Sequence, residues 1–164
     1  MTDRRATFTA RMLAPGVGSG EAIVLTEPLS LWGGFDPVTG TVIDVHHPQR
    51  GMSLARRVLV MPSGRGSSSS STVLAEAIRA GTSPAAVVLA EPDPILALGA
   101  IVAAELYGIE VPVVVSPLPA LSTGQTVTVR ASADGRVVVE VPEDQRAGGE
   151  PPADGEVSSA EQDV

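Results

Sequence analysis

Apolar and polar positions alternate over Thr7–Met12, and short apolar runs follow at Ala22–Leu25, Thr41–Val45 and Arg57–Met61, each bounded by Gly- or Pro-rich segments. A period of two puts successive side chains on opposite faces of a strand, so the first third of the chain predicts β structure. The spacing then lengthens. Ser71–Ala80 (STVLAEAIRA) places good helix formers behind a run of serines and stops at Gly81, which predicts a helix with a serine cap and a C′ glycine. Ala85–Ala90 reads as a buried strand. Pro94 suits a helix start, and Ile95–Tyr107 (ILALGAIVAAELY), apolar on most faces, ends at Gly108 as a second, largely buried helix. Val111–Val115 is a further buried strand, and Gln125–Arg130 and Arg136–Val141 flank Ala133-Asp134-Gly135, an Asp-Gly hairpin signal. Gly16-Val-Gly-Ser-Gly20 lies between two strands and reads as a turn. Strands, then strand–helix–strand–helix–strand, then a hairpin predict a layered α/β domain in which two main helices cover a central sheet and the terminal strands pair as a β-rich layer.

Composition narrows the class. The chain has 164 residues, 43% of them apolar, which suits one ordinary domain with a tail. Its 17 glycines and 14 prolines require frequent turns and argue against a helical bundle. From Val141 onward seven acids stand against one arginine with almost nothing apolar, so a domain over 1–141 and a disordered acidic tail over 142–164 are expected. Most of the net charge of −8 belongs to that tail and says little about a site. There is no lysine and no cysteine, so the chain forms no disulfide and offers no thiolate to a metal or cluster. An acidic balance excludes a general nucleic-acid binder, and four aromatics (Phe8, Trp32, Phe35, Tyr107) supply no base-stacking platform. No run approaches the roughly 18 apolar residues that span a bilayer, and the start MTDRRATFTAR has no apolar core behind its arginines, so no membrane association and a cytoplasmic location are expected.

Three segments could carry chemistry. Leu29-Ser-Leu-Trp-Gly-Gly-Phe-Asp-Pro-Val-Thr-Gly40 is either a long turn stapled by Trp32 and Phe35, with Asp36 making an Asx turn before Pro37, or a loop whose glycines admit a ligand or partner. Asp44-Val-His-His-Pro48 holds both histidines. Adjacent on a strand end, they point to opposite faces and do not share a metal, though one could touch substrate or a partner. Pro62-Ser-Gly-Arg-Gly-Ser-Ser-Ser-Ser-Ser-Thr72, between a strand and a helix start, directs unpaired N–H groups, hydroxyls and a positive helix end to one point. Arg65 adds a bidentate donor for carboxylate or phosphate, so an anion site is favoured over a serine-rich linker. A phosphate-binding P-loop needs a lysine and a spacing that are absent, Gly16–Gly20 does not open a helix, and no Gly-x-Ser-x-Gly elbow is present.

Taken together, LSLWGGFDPVTG, His47-Pro48, Gly51, Val58-Leu59, PSGRGSSSSSTVL, Ser83-Pro84-Ala85 and ILALGAIVAAELYGI resemble the small subunit of the aconitase X family over about residues 10 to 120. The resemblance implies the swivelling β/β/α domain of aconitases, closing over an active site held by a large subunit. It implies a hydro-lyase active only as a complex, heterodimeric or larger, with an iron–sulfur cluster on the cysteines of that partner and no metal on this chain. The substrate would be a small hydroxy acid, cis-3-hydroxy-L-proline first and mevalonate 5-phosphate second. A phosphate calls for more positive charge than Arg65, even joined by Arg50, provides.

Carried over residue by residue, the motif makes Ser67, which follows Gly-Arg-Gly, the base that removes a proton from the substrate carbon. The expected substrate-binding residues are Arg65, Gly66, Ser68, Asp36 and His47. Ser68–Ser71 depart from the serine/threonine-then-glycine pattern of some relatives, which leaves their separate roles open. Two other classes stay in view. LGAIVAAELYGIEVPVVV resembles the phosphohistidine domains of phosphoenolpyruvate-utilising enzymes, but Leu98 holds the histidine's position and no phosphoryl carrier can form. A non-catalytic swivelling interaction module is the third reading.

Overall fold

The structure, a computed structural model, describes residues 5–117 and 121–142. Apart from Pro142, the expected acidic tail lies outside the described residues. In chain order the elements are β1 (Arg5–Phe8), β2 (Arg11–Ala14), β3 (Gly16–Val24), the single turn α1 (Leu31–Gly34), β4 (Phe35–Asp36), β5 (Thr41–Val42), β6 (Val58–Met61), α2 (Ser70–Ala80), β7 (Ala86–Leu89), α3 (Pro94–Tyr107), β8 (Val113–Val115), β9 (Thr126–Ala131) and β10 (Val137–Pro142). Eight strands form one sheet in the order β1-β10-β9-β3-β6-β7-β8-β2, and β4 pairs with β5 in a separate hairpin. β3, β6, β7 and β8 run parallel, while β9, β10 and β1 extend one side antiparallel and β2 closes the other.

The Val-rich strands β6 and β7 are buried on both faces, as parallel strands require. Leu59, Met61, Val87 and Leu89 enter one core with Leu74 and Ile78 of α2 and Leu96 and Ala100 of α3. Val58, Val60, Ala86 and Val88 enter a second with Val127, Val129, Val139 and Val141 of the terminal hairpin. Helices therefore cover one face and curled strands the other, the expected β/β/α layering. Only Thr9 and Ala10 separate β1 from β2, which end opposite edges of the sheet. A link of that length reaches about 11 Å, so the sheet curls until its edges are neighbours.

Three local expectations change. The alternation over Thr7–Met12 is two strands rather than one, because its halves pair with β10 and β8. Gly16–Gly20 is not a turn but the first half of β3. A side chain at Gly18 would lie 1.8 Å from the Ala85 carbonyl oxygen, so the glycine answers to a crossing backbone rather than to a bend. The strand expected over Thr41–Val45 ends at Val42, and Asp44 begins a turn.

The helix signals are realised except for the serine cap of α2, where Ser69 stands at the N-cap without a side-chain capping bond. Asp93 caps α3 ahead of Pro94, and Gly81 and Gly108 end α2 and α3 in the left-handed region. Where the helices cross, a Cβ on Gly99 would approach the Ser71 carbonyl oxygen to 2.6 Å. Gly99→Ala gains roughly 1 kcal/mol of helix propensity. Overpacking against backbone costs about 1–3 kcal/mol. The expected net effect is a loss of up to about 2 kcal/mol in denaturant melts, and a stabilised variant would contradict this close crossing.

Candidate functional site

Three connections leave the C-terminal ends of parallel strands on the same edge of the sheet, after β3, β6 and β7. Diverging loops at such an edge leave a crevice. Leu29 and Leu31 from the first, Gly64–Ser67 from the second with Ser70 of α2, and Asp93, Ile95 and Leu96 from the third line a cleft of about 160 Å³. Both α2 and α3 begin here, bringing two positive helix ends to the cleft. The α3 end is occupied by its own chain, since Asp93 Oδ1 accepts the amides of Ile95 (2.9 Å) and Leu96 (3.1 Å).

The α2 end is built by serines. Ser67 Oγ accepts the Ser69 N–H at 3.1 Å, and the Ser67 carbonyl accepts the Ser70 N–H at 3.0 Å. The half-buried Ser67 oxygen thus meets a backbone donor at the positive end of a helix, and its own hydrogen has no acceptor among the described residues. Buried Ser70 accepts the Trp32 N–H at 3.2 Å, and Ser30 Oγ donates to the Trp32 carbonyl, which joins the first wall to the second. The two glycines around Arg65 answer to this crowding. Gly64 passes the Asp93 carboxylate too closely for any side chain, and Gly66 has φ +92° with Ser30 Oγ 2.8 Å from where a Cβ would stand. The Arg65 guanidinium lies at the rim, its Nη2 3.3 Å from Asp44 Oδ2.

Of the residues singled out from sequence, the structure brings Arg65, Gly66 and Ser67 together in the cleft, with exposed Ser68 next in line. Asp36 and His47 lie outside it. Asp36 makes the expected Asx turn, accepting the Val38 N–H at 2.9 Å and the Thr39 hydroxyl at 2.8 Å. His47 is buried, with Nδ1 accepting the Gln49 N–H (3.1 Å), which leaves Nε2 to donate to the Glu27 carbonyl (3.2 Å). Phe35 packs down as one reading of its loop required, whereas Trp32 remains 61% exposed. Sequence reasoning passed over Asp93, whose position before Pro94 is a cap signal, and Ser70, one of five serines in a row. It gave Asp44 no role at the site, because its partner is 21 residues away. The chain does not fit an iron–sulfur cluster: it has no cysteine, and among the described residues no three His, Asp or Glu side chains converge. No helix among the described residues is long and apolar enough to cross a membrane.

Comparisons with known proteins cover most of this domain. A family model described as the aconitase X swivel domain matches residues 7–140. The chain is 52% identical over 103 residues to the cis-3-hydroxy-L-proline dehydratase of Pseudomonas aeruginosa, covering 63% of this chain and 18% of that one. It spans less than a fifth of the length of that relative and of its Hypocrea jecorina counterpart. It is 39% identical over 132 residues to the phosphomevalonate dehydratase small subunit of Thermococcus onnurineus, covering 79% of this chain and 95% of that one. The crystal structure of Thermococcus kodakaraensis aconitase X in its holo-form superposes with a TM-score of 0.74 at 35% identity, over 84% of this chain and 99% of that one.

The Asp36 turn predicts a pH dependence. The Val38 N–H, then the Thr39 hydroxyl, hold the Asp36 carboxyl below its ordinary 3.8. A carboxylate depressed in the folded state contributes stability that is full above 3.8 and lost as the pH falls through the lower folded value. Wild type should melt above Asp36→Ala at neutral pH and converge with it in acid, and a gap that widens on acidification would contradict the turn.

Proposed function

The chain belongs to the aconitase X swivel-domain family, and from that premise we propose that it is the small subunit of a two-chain hydro-lyase, its Ser67 cleft closing over a hydroxy acid held by a large subunit. The observation that carries the reading is Ser67 itself, a hydroxyl at the open end of α2 whose oxygen receives a backbone N–H while its hydrogen is uncommitted among the described residues. Loss of water from a 3-hydroxy acid requires removal of a proton from the carbon beside the carboxylate. Ser67 first gives its own hydroxyl proton to solvent. As the alkoxide its Oγ then takes the proton from carbon, the C–H electrons form the double bond, and the hydroxide leaving the neighbouring carbon takes up a solvent proton and departs as water.

A free serine is a weak base at neutral pH, so its oxygen must be placed where negative charge is favoured. The Ser69 N–H, the positive end of α2 and the Arg65 guanidinium on the rim supply that field, and excluding water on closure strengthens it. The same Arg65 pairs with the substrate carboxylate, with Gly66 and Ser68 alongside. Asp36 and His47 act at a distance, by shaping the loops that frame the cleft. The iron–sulfur cluster of such an enzyme would sit on the large subunit, since this chain has no cysteine to ligate one.

A large partner also accounts for the surface. Trp32, Val38, Ile43, Val45 and Met52, all exposed, fall in the segments that carry the first wall and the Arg65 partner. Apolar surface beside a cleft marks an interaction site. In the Pseudomonas relative the matched region is 18% of one longer chain, so an equivalent domain there has a large neighbour by covalent connection.

Cis-3-hydroxy-L-proline is the first substrate. Among the described residues Arg65 is the single basic side chain lining the cleft, which suits one carboxylate. Mevalonate 5-phosphate is the second, favoured by the match to separate small subunits over 95% of the length of one of them. Its phosphate brings close to two further negative charges, which this chain alone leaves unmatched.

The test is to purify the chain from its native host, ask whether an iron-containing chain accompanies it, and assay the complex for dehydration of both acids. Ser67→Ala should leave the complex intact and lower kcat by at least about 10²-fold, the range of a lost acid–base group. Turnover of mevalonate 5-phosphate alone would change the substrate. A Ser67→Ala complex as active as wild type would remove the base, and a chain that purifies alone, without iron, would leave the non-catalytic interaction module in its place.

A further inference from the structure

Resting on this reading of the cleft, we infer that Asp44 is a positioning residue that holds the Arg65 guanidinium at the mouth of the Ser67 cleft, where the anionic end of the substrate is met. The pair is unequal. The Arg65 side chain is 58% exposed, while that of Asp44 is 16% exposed. Asp44 is therefore the fixed half. Its Oδ1 accepts the His46 N–H at 2.9 Å, and the amides of Ile43 and Asp44 donate to the Gly34 carbonyl at 2.9 and 3.3 Å. Gly34 lies alongside the Asp44 side chain, where a Cβ would be in ordinary contact with Asp44 Cβ at 3.5 Å and Oδ2 at 3.9 Å.

The turn that follows is anchored in its own right. The His47 N–H donates to the Asp44 carbonyl at 3.2 Å, and both ring nitrogens of His47 are bonded to backbone. The Gln49 side chain ties the turn to Val24 and Thr26 at the end of β3. The Trp-Gly-Gly loop and the Asp-x-x-His-Pro segment, distinctive in sequence yet outside the cleft lining apart from Leu29 and Leu31, thus combine to seat one carboxylate.

A guanidinium has five N–H donors, and among the described residues Asp44 takes one. Donors remain for a substrate anion. An Arg65 released from Asp44 would have to surrender its rotamer freedom when substrate arrives, which weakens binding. Mere repulsion between Asp44 and the substrate predicts the opposite, that removing the negative charge tightens binding. The two accounts differ in sign.

Asp44→Asn keeps an acceptor for the His46 N–H and removes the charge. In the complex it should raise KM for cis-3-hydroxy-L-proline or mevalonate 5-phosphate about tenfold, as coupled neighbours commonly do, with a smaller change in kcat. In an Arg65→Gln background the same substitution should add nothing. A lower KM, or an equal rise in both backgrounds, overturns the inference. The full chain alone gives a reading independent of turnover. Arg65 side-chain nitrogen spectra should show restricted guanidinium rotation in wild type and averaging in Asp44→Asn, at matched melting temperature. Identical Arg65 signals in the two proteins overturn the inference whatever the enzyme does. A wild-type complex inactive on both acids, with the Arg65 signals still responding to Asp44→Asn, counts against the proposed function and for the pair.

Discussion

Burial of both faces of β6 and β7 is the constraint from which the rest of this domain follows. Alternate residues of Val58–Met61 and Ala86–Leu89 enter two separate cores, so neither face can be left to solvent. One face takes α2 and α3, and the other takes the terminal hairpin, which reaches it only because the sheet curls from β3 through β9 and β10 to β1. With both faces covered, the C-terminal edge of the parallel strands is the place left for loops to diverge, and the cleft lies there.

The cleft is crowded backbone more than an array of charged side chains. Asp93 answers the demand of one helix end, the serines answer the other, and the glycines on either side of Arg65 let the chain pass between them. Its lining holds one cation and one carboxylate, and that carboxylate is committed to capping. Such a surface can stabilise negative charge on a small group brought to it.

The chain's membership of the aconitase X swivel-domain family spans the whole layered domain, residues 7–140, and so includes the Gly-Arg-Gly-Ser loop. The matched region stands as part of a longer chain in the Pseudomonas dehydratase and as nearly the whole chain in the Thermococcus small subunit. A layer order that buries its own two cores can serve in either arrangement, because its stability comes from within while its apolar loops and open cleft face outward.

Much of this was written locally. Val-rich strands, Gly81, Pro94 with Gly108, and the Asp-Gly turn each act through neighbours a few residues away, so the elements, their order and the layering were legible, as was the special character of the loop at Arg65 and Ser67. Contacts across long separations were not. Gly16–Gly20 looked like a turn because the backbone it admits comes from Ala85, nearly seventy residues on. Asp36 and His47 looked like ligand-binding residues because polar side chains in glycine-rich loops look alike, whether they face a cleft or fasten a turn. Asp44 carried no signal, since its role depends on an arginine brought beside it by β6 pairing with β3. Periodicity and capping are short-range and belong to the sequence; which polar side chains meet is decided by strand order and sheet curl, which exist only once the chain has packed.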